Sequence, residues 1–446
     1  MSEPRITAVV LANDVLRTKE GKQFLCLEQV AGLSPLARAV KSARHNQAGR
    51  MRLVLSENSP GERELTEEAR KAWGDHSSFE KTTIKPSLGD GEAIVSACQP
   101  GNDYLLVLFA DVAFDPKLTK KMIEELKTLS NERYGWVAGD KLPALLLLPV
   151  EMARQLGPGA LSAQLDEIER NGRLRRLPQE DGFTLRLRTS DDIKLATSLQ
   201  VKALRRPTDG IISRWLNRPV SLWLSKNIFC RTALTPNQIT FIAALVGWVG
   251  IGLVLWWKNY WWTVLGAALF HISSVLDGCD GEVARLRFQF SRFGEWFDNV
   301  LDEVNNALFI GAIGLGIWHR GGHEVYAWAA AFHLVTVFLV DSATFYQLIR
   351  YRGGSGSIDN MRWFFQKSTN AVALAFSNKS SGSWIMQMVR RDFYIFLLLV
   401  LAIFDILHFG FWLSITVDLA LFVLGLGQWV WQLSSKGRES LCGEKK

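Results

Sequence analysis

A chain of 446 residues, 48% hydrophobic and 21% charged, is too long for one ordinary core and apolar enough to fold, which excludes disorder and suggests two or three units. Its 51 Lys and Arg against 44 Asp and Glu leave a net charge of +7, pointing to an anionic partner such as nucleic acid or a membrane surface. Five widely spaced cysteines (Cys26, Cys98, Cys230, Cys279, Cys442) form no C-x-x-C pair, which excludes a disulfide-stapled secreted domain and a cysteine metal cluster.

The opening MSEPRITAVVLAN carries Glu3 and only a short apolar run, unlike a secretory signal. Apolar runs at Ile6–Ala12, Met51–Leu55, Tyr104–Phe109 and Leu142–Leu148 alternate with helix-spaced segments such as Pro35–Arg44 and Pro116–Leu129. The alternation predicts a cytosolic α/β domain over residues 1–200 with a mostly parallel sheet. Pro207, Thr208, Asp209 and Gly210 mark a boundary within a basic juxtamembrane linker, residues 201–236. Between Lys202 and Arg231 this linker has seven basic residues and one acid, Asp209. No nucleic-acid-binding motif accompanies them, so they are read as drawn to anionic lipid headgroups, with no nucleic acid as partner. Ile211–Leu224 sets Trp215, Leu216, Val220, Trp223 and Leu224 against Arg214, Asn217 and Arg218, the pattern of a helix lying on a membrane.

Ile239 to Trp257 is an uncharged stretch long enough to cross a bilayer core of ~30 Å at 1.5 Å per residue. It is the first of six expected spans, at about 238–257, 261–287, 293–318, 324–350, 393–409 and 411–435, in an all-α bundle over residues 237–436. The expected outer loops carry Lys258 and Arg320, whereas the inner segment from Arg350 to Arg391 has seven basic residues. The tail, residues 437–446, adds Arg438, Lys445 and Lys446 after Lys436. The bias predicts a multi-pass protein of the inner (plasma) membrane with both termini cytoplasmic. Trp256, Trp257, Trp261 and Trp262 then fall at the outer interface, and Trp429 and Trp431 at the inner one.

Chemistry concentrates in Asp277-Gly278-Cys279-Asp280-Gly281-Glu282-Val283-Ala284-Arg285 and, eight residues on, Gly294-Glu295-Trp296-Phe297-Asp298-Asn299-Val300-Leu301-Asp302. Helical spacing puts Asp277 with Asp280, and Asp298 with Asp302, on shared faces, and the turn near Arg287–Arg292 makes the two helices antiparallel neighbours. Four carboxylates converging in a bundle need neutralising, a task for hard divalent cations, two of which can polarise both sides of a phosphoryl group. Gly281, Ala284 and Gly294 open space for a flat nucleotide, and Arg285 offers a cation to phosphate. The plainer alternative for any single residue is solvated loop acids and small residues that serve helix packing.

The pattern D-x2-D-G-x2-A-R-x8-G-x3-D-x3-D resembles the signature of the CDP-alcohol phosphotransferases (CDP-alcohol phosphatidyltransferases) at every defined position, and the likeness extends over about 205–436. The resemblance implies transfer of a phosphoryl-alcohol group from a CDP-alcohol to an acceptor hydroxyl with release of CMP. It implies Mg2+ or Mn2+ in a two-metal site held by Asp277, Asp280, Asp298 and Asp302, with Asp302 as general base. Asp277, Gly281, Ala284, Arg285 and Gly294 would hold CDP, and a homodimer is the common family form. The segments Arg206–Arg214, Asn217-Arg218 and Thr235–Thr240 are similar to the branch that makes di-myo-inositol phosphate phosphate, often fused to a cytosolic nucleotidyltransferase. The same branch is echoed by Arg390-Arg391-Asp392, where guanidiniums would grip an acceptor phosphate. Asp341, in the fourth expected span, is a further acceptor-side candidate, whereas His271 reads as a packed helix histidine.

The N-terminal domain resembles such a nucleotidyltransferase in Val30–Leu36 and in Phe109–Pro116, the latter like a metal-binding strand end. Asn13–Lys22 lacks the closely spaced glycines that would wrap a triphosphate, and Leu185–Asp192 has arginines where a distal metal aspartate would stand. A degenerate domain, serving structure, docking or regulation, is expected. The expected donor is CDP-inositol or another CDP-polyol, and the acceptor a phosphorylated polyol or a lipid. The rivals are a CDP-diacylglycerol-dependent phospholipid synthase and, from another class, a transporter or membrane scaffold.

Overall fold

The computed structural model describes residues 5–12, 24–57, 59, 61–74, 78–85, 89–98, 103–128, 134–139, 143–178, 181–205, 209–256, 259–351 and 390–434. Expectations for Asn13–Lys22, most of the inner basic segment, Trp257 and the tail lie outside these residues. The chain divides into two compact units, Met1–Leu204 with Leu286–Phe288, and Arg205–Arg285 with Gln289–Lys446.

In the first unit, strands β1 (Ile6–Leu11), β2 (Arg50–Ser56), β3 (Phe79–Ile84) and β4 (Tyr104–Phe109) alternate with helices α1 (Pro35–His45), α2 (Glu62–Trp73) and α3 (Asp90–Ser96). After β5 (Val112–Phe114) come α4 (Pro116–Thr128), β6 (Gly135–Ala138), β7 (Leu145–Pro149), the one-turn α5 (Val150–Ala153), α6 (Leu161–Arg170), β8 (Leu174–Arg176), β9 (Thr184–Arg186) and α7 (Ser190–Lys202). Among the described residues seven strands form one sheet in the order β3-β2-β1-β4-β7-β6-β8, and β5 pairs with β9. Strands β1 to β4 are mutually parallel, and β7 runs against both β4 and β6. Both faces of β1 and β4 are buried, which explains why their sequences read as continuous apolar runs and not as alternating ones. The chain steps outward from β1 through β2 to β3 and returns to β4 beside β1, which makes the carboxyl ends of β1 and β4 the topological switch point.

In the second unit a π-helical turn at Ser213–Asn217 runs into α8 (Arg218–Asn227). Trp215, Leu216, Val220 and Trp223 are all exposed there, whereas of the polar residues set against them Asn217 is buried and Arg218 only 15% exposed, because they turn inward to the bundle. Helices α9 (Pro236–Trp256), α10 (Tyr260–Arg287), α11 (Arg292–His319), α12 (Val325–Tyr351) and α14 (Leu407–Leu433) are each long and apolar enough to cross a membrane. The expected fifth span is shorter. Helix α13 covers only Arg391–Ile403, ~20 Å, because Asp405 takes φ +59°, a left-handed conformation that a short polar side chain tolerates. Helices α9 and α10 approach at glycines: a Cβ on Gly250 would stand 2.6 Å from the carbonyl oxygen of Gly266, and one on Gly266 2.7 Å from that of Gly250. Trp248 Nε1 donates to Asn305 Oδ1 at 2.7 Å, and Phe270 stacks on Phe309 at 3.9 Å, joining α11 to α9 and α10.

Candidate active site

Asp277 and Asp280 lie ten and seven residues before the end of α10, and Asp298 and Asp302 six and ten after the start of α11, so all four share a depth of ~9–15 Å from the turn. One carboxylate oxygen from each of Asp277, Asp280 and Asp298 lies within 4.8 Å of the other two. Asp280 is held by the Thr240 hydroxyl and the Gly281 N–H, which both donate to it. Asp298 Oδ1 is buried and meets no donor among the described residues. An orphaned oxygen amid three carboxylates suits a hard divalent cation, so the residues present fit a metal of this kind.

Asp302, one turn on, stands outside that trio and pairs with Arg391 at the start of α13. The same guanidinium lies 3.6 Å from Asp277. Arg390 instead pairs with Asp392 at 3.5 Å. Beside the aspartates a cavity of about 430 Å³ is lined by Asp280, Gly281, Ala284, Arg285, Gly294 and Asp298, with Asn237 and Thr240 from α9. A Cβ on Gly294 would stand 2.7 Å from Asn237 Oδ1, so this glycine keeps the α9 and α11 ends close at the cavity wall. Asn237 and Thr240 belong to the Thr235–Thr240 segment that leads into α9. Their place at the first turn of a helix was the signal for a role.

Glu282 does not face the aspartates. It lies about 140° round α10 from Asp277. Fully buried, it accepts from Arg218 Nη1, Ser221 Oγ and Ser225 Oγ, each at 2.7 Å. Arg218 also pairs with Asp209 at 3.2 Å. Asp341 of α12 is not brought to the trio; it is near Glu303 and Asp418. His333, which sequence reading passed over, sits between Asp418 Oδ2 at 2.5 Å and the Ala307 carbonyl at 3.1 Å. An acid in an apolar span needs such a partner, and that requirement was the missed cue. His271 is packed beside Phe396, but neither ring nitrogen has a hydrogen-bond partner among the described residues.

At the switch point of the first unit, Asp111 follows β4. Arg186 Nε reaches Asp111 Oδ2 at 3.1 Å, and its guanidinium lies over Phe109. Cys26 is buried nearby, and burial together with the Asp111 charge pushes its thiol up to about 12. In the Val30–Leu36 segment, Ala31 and Gly32 take positive φ, Ser34 caps α1, and the buried Arg38 donates to the Val30 carbonyl at 2.7 Å.

Residues 233–389 match the CDP-alcohol phosphatidyltransferase family, and this stretch carries such a domain. The chain is 35% identical over 172 residues to the bifunctional IPC transferase and DIPP synthase of Aquifex aeolicus, covering 38% of this chain and 37% of that protein. It is 33% identical over 152 residues to the protein of the same description from Archaeoglobus fulgidus, covering 34% and 30%. The chain thus spans about a third of the length of these curated relatives. Among solved structures it resembles the inositol-1-phosphate CTP transferase from T. maritima (14% identity, 45% of this chain and 97% of that one, TM-score 0.34). A nucleotidyl transferase from Methanothermobacter thermautotroptrophicus is similar at 14% identity, over 44% and 96%, with a TM-score of 0.34.

Proposed function

We propose that the chain is a multi-pass membrane CDP-alcohol phosphotransferase, moving a phosphoryl-alcohol group from a CDP-alcohol to an acceptor hydroxyl and releasing CMP. The observation that carries this reading is the carboxylate trio opening onto a cavity lined by the other residues of the same motif. Asp277, Asp280 and Asp298 would hold divalent metal, Mg2+ or Mn2+. Metal there would supply positive charge to the diphosphate as CMP departs. Gly281, Ala284, Arg285 and Gly294 bind the nucleotide, Arg285 facing its phosphates. Asp302 accepts the proton of the acceptor hydroxyl as the new phosphoester bond forms and the bond to CMP breaks. Arg391 pairs with Asp302, and Arg391 and Arg390 would take an acceptor phosphate beside it.

The donor is a CDP-polyol, CDP-inositol first, and the acceptor a phosphorylated polyol. The relatives' names and the nucleotidyltransferase-like first unit favour this over a CDP-diacylglycerol donor. Arg186 on Asp111 supports a first unit that no longer transfers nucleotides, because a guanidinium occupies the place beside this acid at the strand end. Both termini are cytoplasmic, and two copies form the working unit.

Membranes holding the chain, incubated with a panel of CDP-alcohols and followed for CMP by mass spectrometry, test the reading. We expect CMP from a CDP-polyol, and a drop of about 10²–10⁴-fold in Asp302→Asn with the fold retained. No CMP from any donor would favour a transporter or scaffold. Substantial activity in Asp298→Asn or Asp302→Asn would overturn the assigned roles.

A further inference from the structure

Ten residues, Asp209 to Arg218, join the two helices that carry opposite sides of the site. At one end Arg218 ties Asp209 to Glu282 on the rear of α10. Midway along, the backbone N–H of Ser213 donates to Asp392 Oδ2 at 2.8 Å, in the first turn of α13. Gly210 lies so close that a Cβ there would stand 2.6 Å from Asp392 Oδ2 and 2.8 Å from Arg390 Nε. From Ser213 to Asn217 the segment takes a π-helical turn, a rare form frequent at functional sites. Asp392 adjoins Arg391, whose guanidinium reaches Asp302 and Asp277. The far end of α13 is fixed separately, where Tyr260 of α10 donates to the Ile403 carbonyl at 2.6 Å.

We propose that residues 209–218 are a strap that sets the position of Arg391 against the α10 and α11 carboxylates, making Gly210 and Asp392 positioning residues for the acceptor half of the transfer proposed above. Tyr394 meets Ser414 of α14 at 2.9 Å and Ile395, Leu398 and Ala402 pack in the bundle core, but these contacts leave the Arg390–Asp392 turn free to shift, and each ångström moved by Arg391 changes what it grips. The strap removes that freedom from the inner end. Because Ser213 contributes its backbone N–H, its side chain is dispensable to this link. Because Gly210 lies against a carboxylate and a guanidinium that must both stay in place, a methyl group there displaces one of them.

Three variants test the strap: Gly210→Ala, Asp392→Asn and Ser213→Ala, each reconstituted as the full chain. Steady-state CMP release should show the acceptor KM raised about tenfold in the first two, with the CDP-alcohol KM within about twofold and Ser213→Ala like wild type. Mn2+ bound by each variant, read by electron paramagnetic resonance, should match wild type and so exclude misfolding. Nitroxides attached through the exposed Ile272→Cys and through Phe393→Cys, half-buried at the inner end of α13, report the separation of that end from α10 independently of activity. Their distance distribution should broaden in Asp392→Asn. Equal rises in both KM values, or an unchanged acceptor KM with an unchanged distribution, would overturn the strap. A wild type that yields no CMP overturns the transfer reading instead, and the distance measurement still decides the strap.

Discussion

Arg218→Met isolates the energetic weight of the charge buried behind the site. Glu282 is fully inaccessible and has three partners at 2.7 Å, only one of them charged. Removing Arg218 leaves a carboxylate with two hydroxyl donors and no counter-charge, and also strips Asp209 of both of its guanidinium bonds. Breaking one side of a buried pair costs about 3–5 kcal/mol, whereas replacing both partners by apolar groups is often near neutral. In Glu282→Leu, Arg218 keeps Asp209 and remains 15% exposed, so about 1–2 kcal/mol is expected for the lost bonds. The double variant Arg218→Met, Glu282→Leu should resemble Glu282→Leu, giving a coupling as large as the Arg218→Met loss itself, about 3–5 kcal/mol. At roughly 2–4 °C per kcal/mol for a unit of this size, Arg218→Met should lower the apparent Tm by about 6–20 °C, and the second substitution should restore most of it. Thermal unfolding of the purified chain in detergent, followed by a thiol-reactive dye or circular dichroism, measures this. Additive losses in the double variant, or an Arg218→Met shift under about 2 °C, would refute the pairing argument.

Gly266→Ala should lower Tm by several degrees, since its methyl group would press on the Gly250 carbonyl, while Gly252→Ala, with open space, should be neutral in the same melt. Cys26, with its thiol near 12, should be about one part in ten thousand thiolate at pH 8 and resist iodoacetamide until the first unit unfolds, which peptide mass spectrometry would show. Asp115 caps α4 through the Lys117 N–H, and burial raises its pKa, so the folded state holds the proton more tightly than the unfolded chain. Stability therefore falls as pH rises from the ordinary carboxylate value of about 3.9 through the folded value. Asp115→Asn should gain hydrogen-exchange protection in α4 at pH 7 and lose the advantage by about pH 4; protection unchanged at pH 7 would contradict the sign.

The parallel core strands and the long helices were legible because burial on both faces and bilayer length leave continuous apolar runs. The aspartate trio was legible because helical spacing alone sets which residues share a face. Strands β3, β6, β8 and β9 were not, being short or polar and held by neighbours far along the chain. The run Leu142–Leu148 marked β7 but not its antiparallel direction, because apolar content carries no direction. The expected span to 409 failed at Asp405, where no glycine or proline announces the break. Arg391 with Asp302, 89 residues apart, and His333 with Asp418, 85 apart, leave no periodic trace. Glu282, five residues from Asp277, lies well over a quarter-turn off the aspartate face, while its partners, 57 to 64 residues earlier, leave no periodic trace.

The three partners of Glu282 precede it by 64, 61 and 57 residues. At ~5–20 residues per second, they leave the ribosome some 3–13 s earlier. A segment carrying a lone carboxylate into hydrocarbon resists insertion by about 2.5–3.5 kcal/mol. Here the order of synthesis meets the problem. The helix bearing Arg218, Ser221 and Ser225 is already made and suited to the membrane surface when α10 emerges, so the acid can be received by its partners as it arrives. A circular permutant that made α10 first would face that insertion barrier unaided.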